Sequence, residues 1–170
     1  MKAARPRLER LGPVYARVAI GAAFLSAVAG RFGIWDGKPG LSRFPAFIQY
    51  TAEVNAFLPA ATIPFLAWAA TVAETSLGIA LIAGVQVRLA ALASAALLAL
   101  FGTAMAISFG PKSPLDYSVF SASAGALLLA LHEWRAPGGP GEVRRLRRTW
   151  RALPRLRRER GFAGSVIGLY

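Results

Sequence analysis

Twenty consecutive residues without a charge run from Val54 to Ala73, and 23 more run from Leu89 to Pro111. At about 1.5 Å of rise per helical residue, runs of that length cross a hydrocarbon layer of roughly 30 Å. Lipid supplies no hydrogen-bond partners, so the backbone of a spanning segment has to satisfy itself, which an α-helix does within one segment. Composition agrees, with 55% of residues hydrophobic and 16% charged. The reading is an all-α integral membrane protein. Its core is a four-transmembrane-helix bundle over residues 1–134, with spans at about 13–34, 62–84, 87–109 and 116–134, followed by an Arg-rich cytoplasmic tail over 135–170. Arg17 and Arg31 fall near the ends of the first span, where long basic side chains reach the headgroups. The fourth span rests on Tyr117 to Leu131, with Trp134 as an interfacial flank. The first span also reads as a cleaved signal peptide, because a basic start leads through an apolar stretch to "AVAG" at Ala27 to Gly30. Retention as the first of four helices is the reading adopted.

The net charge of +12 is concentrated at the two ends. Met1 to Arg17 carries five Lys/Arg against Glu9, Arg135 to Tyr170 carries ten Arg against Glu142 and Glu159, and the stretch between them is neutral. Translocation disfavours Lys and Arg beside span ends, so both termini are expected in the bacterial cytoplasm, and an even number of spans satisfies both at once. In the tail, Val143, Leu146, Trp150 and Leu153 recur at helical spacing, opposite Arg144, Arg145, Arg148 and Arg151. Such a tail helix suits an anionic inner leaflet, each basic residue near that surface contributing about 1 kcal/mol. A solvated tail that only sets topology is the plainer alternative. Nucleic acid is the least favoured partner, since an apolar stripe has no use on a phosphate backbone.

No cysteine is present, which removes disulfides, dithiol redox chemistry, thiolate metal sites and iron–sulfur ligation. The single histidine, His132, cannot build a multi-histidine centre, and no dinucleotide fingerprint, P-loop or HExxH occurs. The chain therefore reads as a membrane subunit rather than a stand-alone enzyme, with no catalytic residue, no metal site and no soluble cofactor evident.

A carboxylate nonetheless stands inside the apolar run "AWAATVAETSLGIALIAGVQVRLAAL", at Glu74. On a helical wheel Ala67, Ala70, Thr71 and Gly78 share its face, while Phe65, Trp68, Val72 and Ile79 fall opposite. Small residues permit close helix contact, so Glu74 is expected to point into the bundle and the bulky face to meet lipid. Ala19, Ala23 and Ala27 repeat the small spacing on the first span, as do Ala91, Ala95 and Ala99 on the third. An intramembrane carboxylate costs about 2.5 to 3.5 kcal/mol on insertion scales, so it is paired, protonated or wet. Arg31 is the best partner in the chain, reaching inward or through a water, and the polar core is expected to comprise Glu74, Arg31, Thr71 and Gly78. Satisfied structural acid, quinone-headgroup contact and proton relay all remain open for Glu74. Between the first two spans, Phe44, Phe47, Ile48, Val54, Phe57 and Leu58 favour a short amphipathic outer helix closed by Pro59. It acts either as a loop packed on the bundle or as a cap over an opening.

The first span, "RVAIGAAFLSAVAGRFG", resembles the opening of DoxX-type membrane proteins, an arginine-led helix ending in glycine and a basic residue. "VAETSLGIALIAGVQVRLAAL" is similar to that family's most recognisable stretch, in which a glutamate, two glycines and an arginine are here Glu74, Gly78, Gly84 and Arg88. The resemblance runs from about Tyr15 to Leu131, with Arg31 at a position more often lysine and with a longer arginine tail. It implies a four-helix bundle and a redox neighbourhood, since relatives include the small subunit of a thiosulfate:quinone oxidoreductase and membrane partners of soluble redox-defence enzymes. A quinone is the cofactor it admits, and other membrane or redox subunits are the partners it implies. The competing function class is a small transporter in which Glu74 and Arg31 line a polar path.

Overall fold

The computed structural model of the protein describes the backbone of residues 5–135 and the side chains of residues 11–133. The expected tail helix, with Arg144, Arg145, Arg148, Trp150 and Arg151, lies outside the described residues. All regular structure among the described residues is helical: α1 (Arg5–Arg31), α2 (Phe44–Val54), α3 (Ile63–Ala83), α4 (Val87–Phe109), α5 (Lys112–Asp116) and α6 (Val119–Arg135), with a single 3₁₀ turn at Ala60–Thr62 before α3. Residues 5–131 belong to one compact unit, whose boundary falls at His132 in the last turn of α6.

Three segments, Leu11–Arg31, Ala60–Ala83 and Val87–Phe109, are long and apolar enough to cross a membrane. The apolar part of α6, Val119–Glu133, is shorter. The fourth expected span starts late because the chain breaks: α5 ends at Asp116, and Ser118 takes a positive φ of 55° that a continuous helix does not allow. Lys112 pairs with Asp116 along α5. The termini of α3 follow from sequence. Pro64 sits in its first turn, where a missing N–H costs nothing. Gly84 closes it at φ 73°, while the N–H of Val85 donates to Ala80 O at 2.9 Å.

α1 packs along α3, α3 along α4, and α2 lies across α3 and α4. The α1–α3 crossing runs through Gly21 and Gly78. A Cβ on Gly21 would stand 2.9 Å from Gly78 O, and one on Gly78 3.1 Å from Gly21 O, so backbone rests on backbone. This corrects the expectation for the first span. Ala19, Ala23 and Ala27 stay outside the crossing and exposed, because the approach is closer than any alanine permits and glycine takes the contact instead. On the third span, Ala91 and Ala95 are buried as expected. α6 meets α4 where the Phe120 ring covers Gly102 and Ser123 Oγ donates to Ala95 O at 2.8 Å. The apolar core of Phe24, Leu81, Ala90, Ala91, Leu129 and Ala130 gathers toward the α3–α4 turn, at the end away from α2. α2 is shorter than expected: it stops at Val54, where Asn55 Nδ2 donates to Thr51 O at 2.9 Å, and Pro59 instead opens the 3₁₀ turn.

Candidate functional site: an ion pair beneath a cross-lying helix

Arg31 is the last residue of α1. Helical side chains lean toward the N-terminus of their own helix, so its stem runs back into the bundle rather than out past the helix end. That lean closes the difference in depth between Arg31 and Glu74 without a bridging water. Arg31 Nη2 donates to both Glu74 oxygens, at 2.7 and 2.8 Å, and Nη1 donates to Thr71 Oγ1 at 3.1 Å. Thr71 passes its own proton to Ala67 O at 2.8 Å. The face of the guanidinium lies 3.8 Å from the centroid of the Phe47 ring, which α2 supplies from above. With 11% of the Arg31 side chain and 2% of Glu74 exposed, the two charges are largely removed from solvent. Pairing, hydrogen bonding and the aromatic face together offset that desolvation.

α2 is pinned at both ends. Phe44 packs between Phe32 of the α1–α2 loop, at 5.8 Å, and Trp68 of α3, at 4.3 Å. At the other end Ser108 Oγ of α4 donates to Val54 O at 2.6 Å. Beneath α2, between α1, α3, α4 and α6, lies a cavity of about 730 Å³. Its wall is apolar over most of its extent, and Arg31 and Glu74 mark its polar spot. Tyr50 and Thr51 reach it from α2. The Thr51 hydroxyl is engaged with Phe47 O at 2.7 Å. Burial, followed by the nearby Tyr117 and Glu53, pushes the Tyr50 phenol above its ordinary value and keeps its O–H as a donor.

Arg31, Glu74 and Thr71 thus come together, whereas Gly78 serves the α1–α3 crossing one turn further along α3. Arg17 lies far from the pair, its guanidinium against Gly84, where a Cβ would stand 2.6 Å from Nη1. Phe47 is the site residue that sequence reasoning missed. It was visible as one apolar position of an amphipathic helix, but no local signal ties it to an arginine 16 residues earlier. Among the described residues, no cluster of three His, Asp or Glu offers a metal site.

A helical membrane protein whose spanning helices enclose an apolar cavity around one buried ion pair is the class defined by this fold and site. Residues 12–108 match the family model for DoxX, and the chain belongs to the DoxX family. The match takes in Arg31, Phe47, Thr71 and Glu74 and stops before α5 and α6. No curated protein and no solved structure matched the chain.

Proposed function

We propose that this DoxX-family chain is a membrane subunit of a redox complex and that the cavity under α2 receives a quinone head group. The observation that supports the reading is the placement of one internally neutralised ion pair on a largely apolar wall. A quinone ring is flat, apolar and uncharged, with carbonyl oxygens that need donors. The cavity offers a volume inside the usual ligand range of about 300–1,000 Å³, aromatic and aliphatic walls, and donors on Arg31 and Tyr50. A bound quinone would supply the redox chemistry, and the residues of this chain would hold and orient it. Other redox subunits would supply or accept the electrons. A transport role for Arg31 and Glu74 would need the polar path to continue past Phe24, Leu81, Ala91, Leu129 and Ala130, which are packed and apolar. That leaves the redox reading the better supported.

The proposal includes a bacterial cytoplasmic membrane, four spans with α6 as the fourth, and both basic termini in the cytoplasm. The arginine-rich tail then rests on the anionic inner leaflet, and α2 lies on the outer side. Titrating a short-tailed quinone into nanodisc-held protein in which Trp35, Trp134 and Trp150 are replaced by Phe, so that tryptophan emission comes from Trp68 beside the roof, tests the head-group site. Saturable quenching is expected, with an affinity about tenfold weaker, or roughly 1.4 kcal/mol, when Arg31→Gln and Glu74→Gln are combined. Non-saturable quenching, identical in both proteins, would remove the quinone from the proposal.

A further inference from the structure

We infer that the cavity is filled from the side, through the seam between α3 and α4 in the α2 half of the bilayer, by an uncharged amphiphile whose long tail stays in that seam. The inference rests on the quinone reading only for the nature of the head group. Four of the five spanning-helix residues that line the cavity and also face outward fall along one seam, Ala69 on α3 and Leu100, Thr103 and Ile107 on α4; the fifth, Ala23, stands alone on α1. Leu100 is 67% and Ile107 65% exposed. A row of such residues on two neighbouring helices marks an opening. On the α3 side the cavity is lined by Ala69 and Ala73, whose side chains are single methyl groups.

Contacts cross the other seams around the cavity. Gly21 and Gly78 bring α1 and α3 into backbone contact, the Phe120 ring lies on Gly102 between α4 and α6, and Phe24 packs in one cluster with Leu129 and Ala130. Above, the Phe44–Trp68 ring contact and the Ser108–Val54 hydrogen bond hold α2 down. α3 and α4 meet near their turn, where Leu81, Ala90 and Ala91 share the apolar core. The route left is lateral, and what arrives laterally is dissolved in the membrane. Arg31 and Glu74 already neutralise each other through two hydrogen bonds. A charged head would have to break that pair, whereas a neutral head with acceptor oxygens can use the donors that remain.

The experiment uses the full chain in phosphatidylcholine nanodiscs with octadecanol carrying a diazirine beside its hydroxyl. After illumination, adducts are located residue by residue by mass spectrometry. Glu74, buried and lining the cavity, and Phe24 report the interior, while Val72 and Ile79 report the lipid face. Labelling of Glu74 or Phe24 is expected in the wild-type chain. It should fall to background in Ala73→Trp and in Leu100→Trp and persist in Val72→Trp, which adds the same ring outside the seam. Leu100 already faces outward, so its variant keeps the test alive if Ala73→Trp fails to fold. The fatty-acid analogue of the probe, charged at neutral pH, should label Glu74 less than the alcohol does. No interior adduct in the wild-type chain, or interior adducts undiminished in the folded seam variants, would overturn the lateral route. Equal labelling by the acid would overturn the neutral head. A short-tailed quinone that fails to compete with the labelled alcohol would count against the quinone and leave the route intact.

Discussion

Arg31 and Glu74 face each other where little water reaches either charge. Replacing one strands its partner in a poorly solvated site, at a cost of about 3 to 5 kcal/mol for buried pairs. Glu74→Gln is therefore expected to lose more stability than Glu74→Gln with Arg31→Gln, and a double-mutant cycle scored by thermal aggregation in detergent measures the coupling. Simple addition of the two losses would mean that the contact carries no stability. Much of this pair was legible in the sequence, because a carboxylate in a long apolar run demands a counter-charge and the middle of the chain offers few. What stayed hidden was its immediate environment. The hydrogen bond to Thr71 and the Phe47 ring depend on the angle at which α2 crosses the bundle, and no residue pattern specifies that angle.

At the scale of the helices, the α1–α3 pair is set by two glycines rather than by an alanine stripe. A side chain at Gly21 would meet Gly78 O at 2.9 Å and Ile82 Cγ1 at 2.8 Å, so Gly21→Leu forces the helices apart. The expected loss is about 1–3 kcal/mol, typical of overpacking. Gly125→Leu, where a Cβ meets nothing within 4 Å, is the control and should be neutral in the same thermal assay. Equal losses at the two positions would mean that the crossing is not held by backbone contact. α3 and α4 were readable almost to the residue because Pro64, Gly84 and the uncharged run up to Gly110 punctuate them. The α1 contact was misread because three alanines at fourfold spacing look like a packing face, and Gly21 sits between two of them. A glycine inside a spanning helix was the available signal, as it weakens the helix unless close approach requires it. The division of the last apolar segment into α5 and α6 turns on the left-handed Ser118, a conformation that serine does not announce.

For the whole molecule, the opposed demands of charge and hydropathy fix one expected topology. Reporter fusions at Lys38 and Lys112 should read outside and a C-terminal fusion inside, placing α2 and the cavity roof on the far side of the membrane from both basic ends. An outside signal from the C-terminus would mean that α6, the shortest apolar helix of the set, does not cross. The neutral middle of the chain and its basic ends made the membrane class legible from sequence. The cavity was not, because an empty volume arises from where helices fail to touch, and sequence patterns report only where they do.

The ion pair also sets an order of assembly. Arg31 precedes Glu74 by 43 residues, an interval of a few seconds at about 5–20 residues per second of synthesis. During that interval Arg31 waits at the end of its helix, where a long side chain can rest among headgroups. Glu74 has no such refuge, since it arrives in the middle of α3 with apolar turns on both sides. A nascent α1 that stays beside the site of insertion would offer Glu74 its counter-charge as α3 arrives, and the two helices are then expected to enter the lipid as a pair.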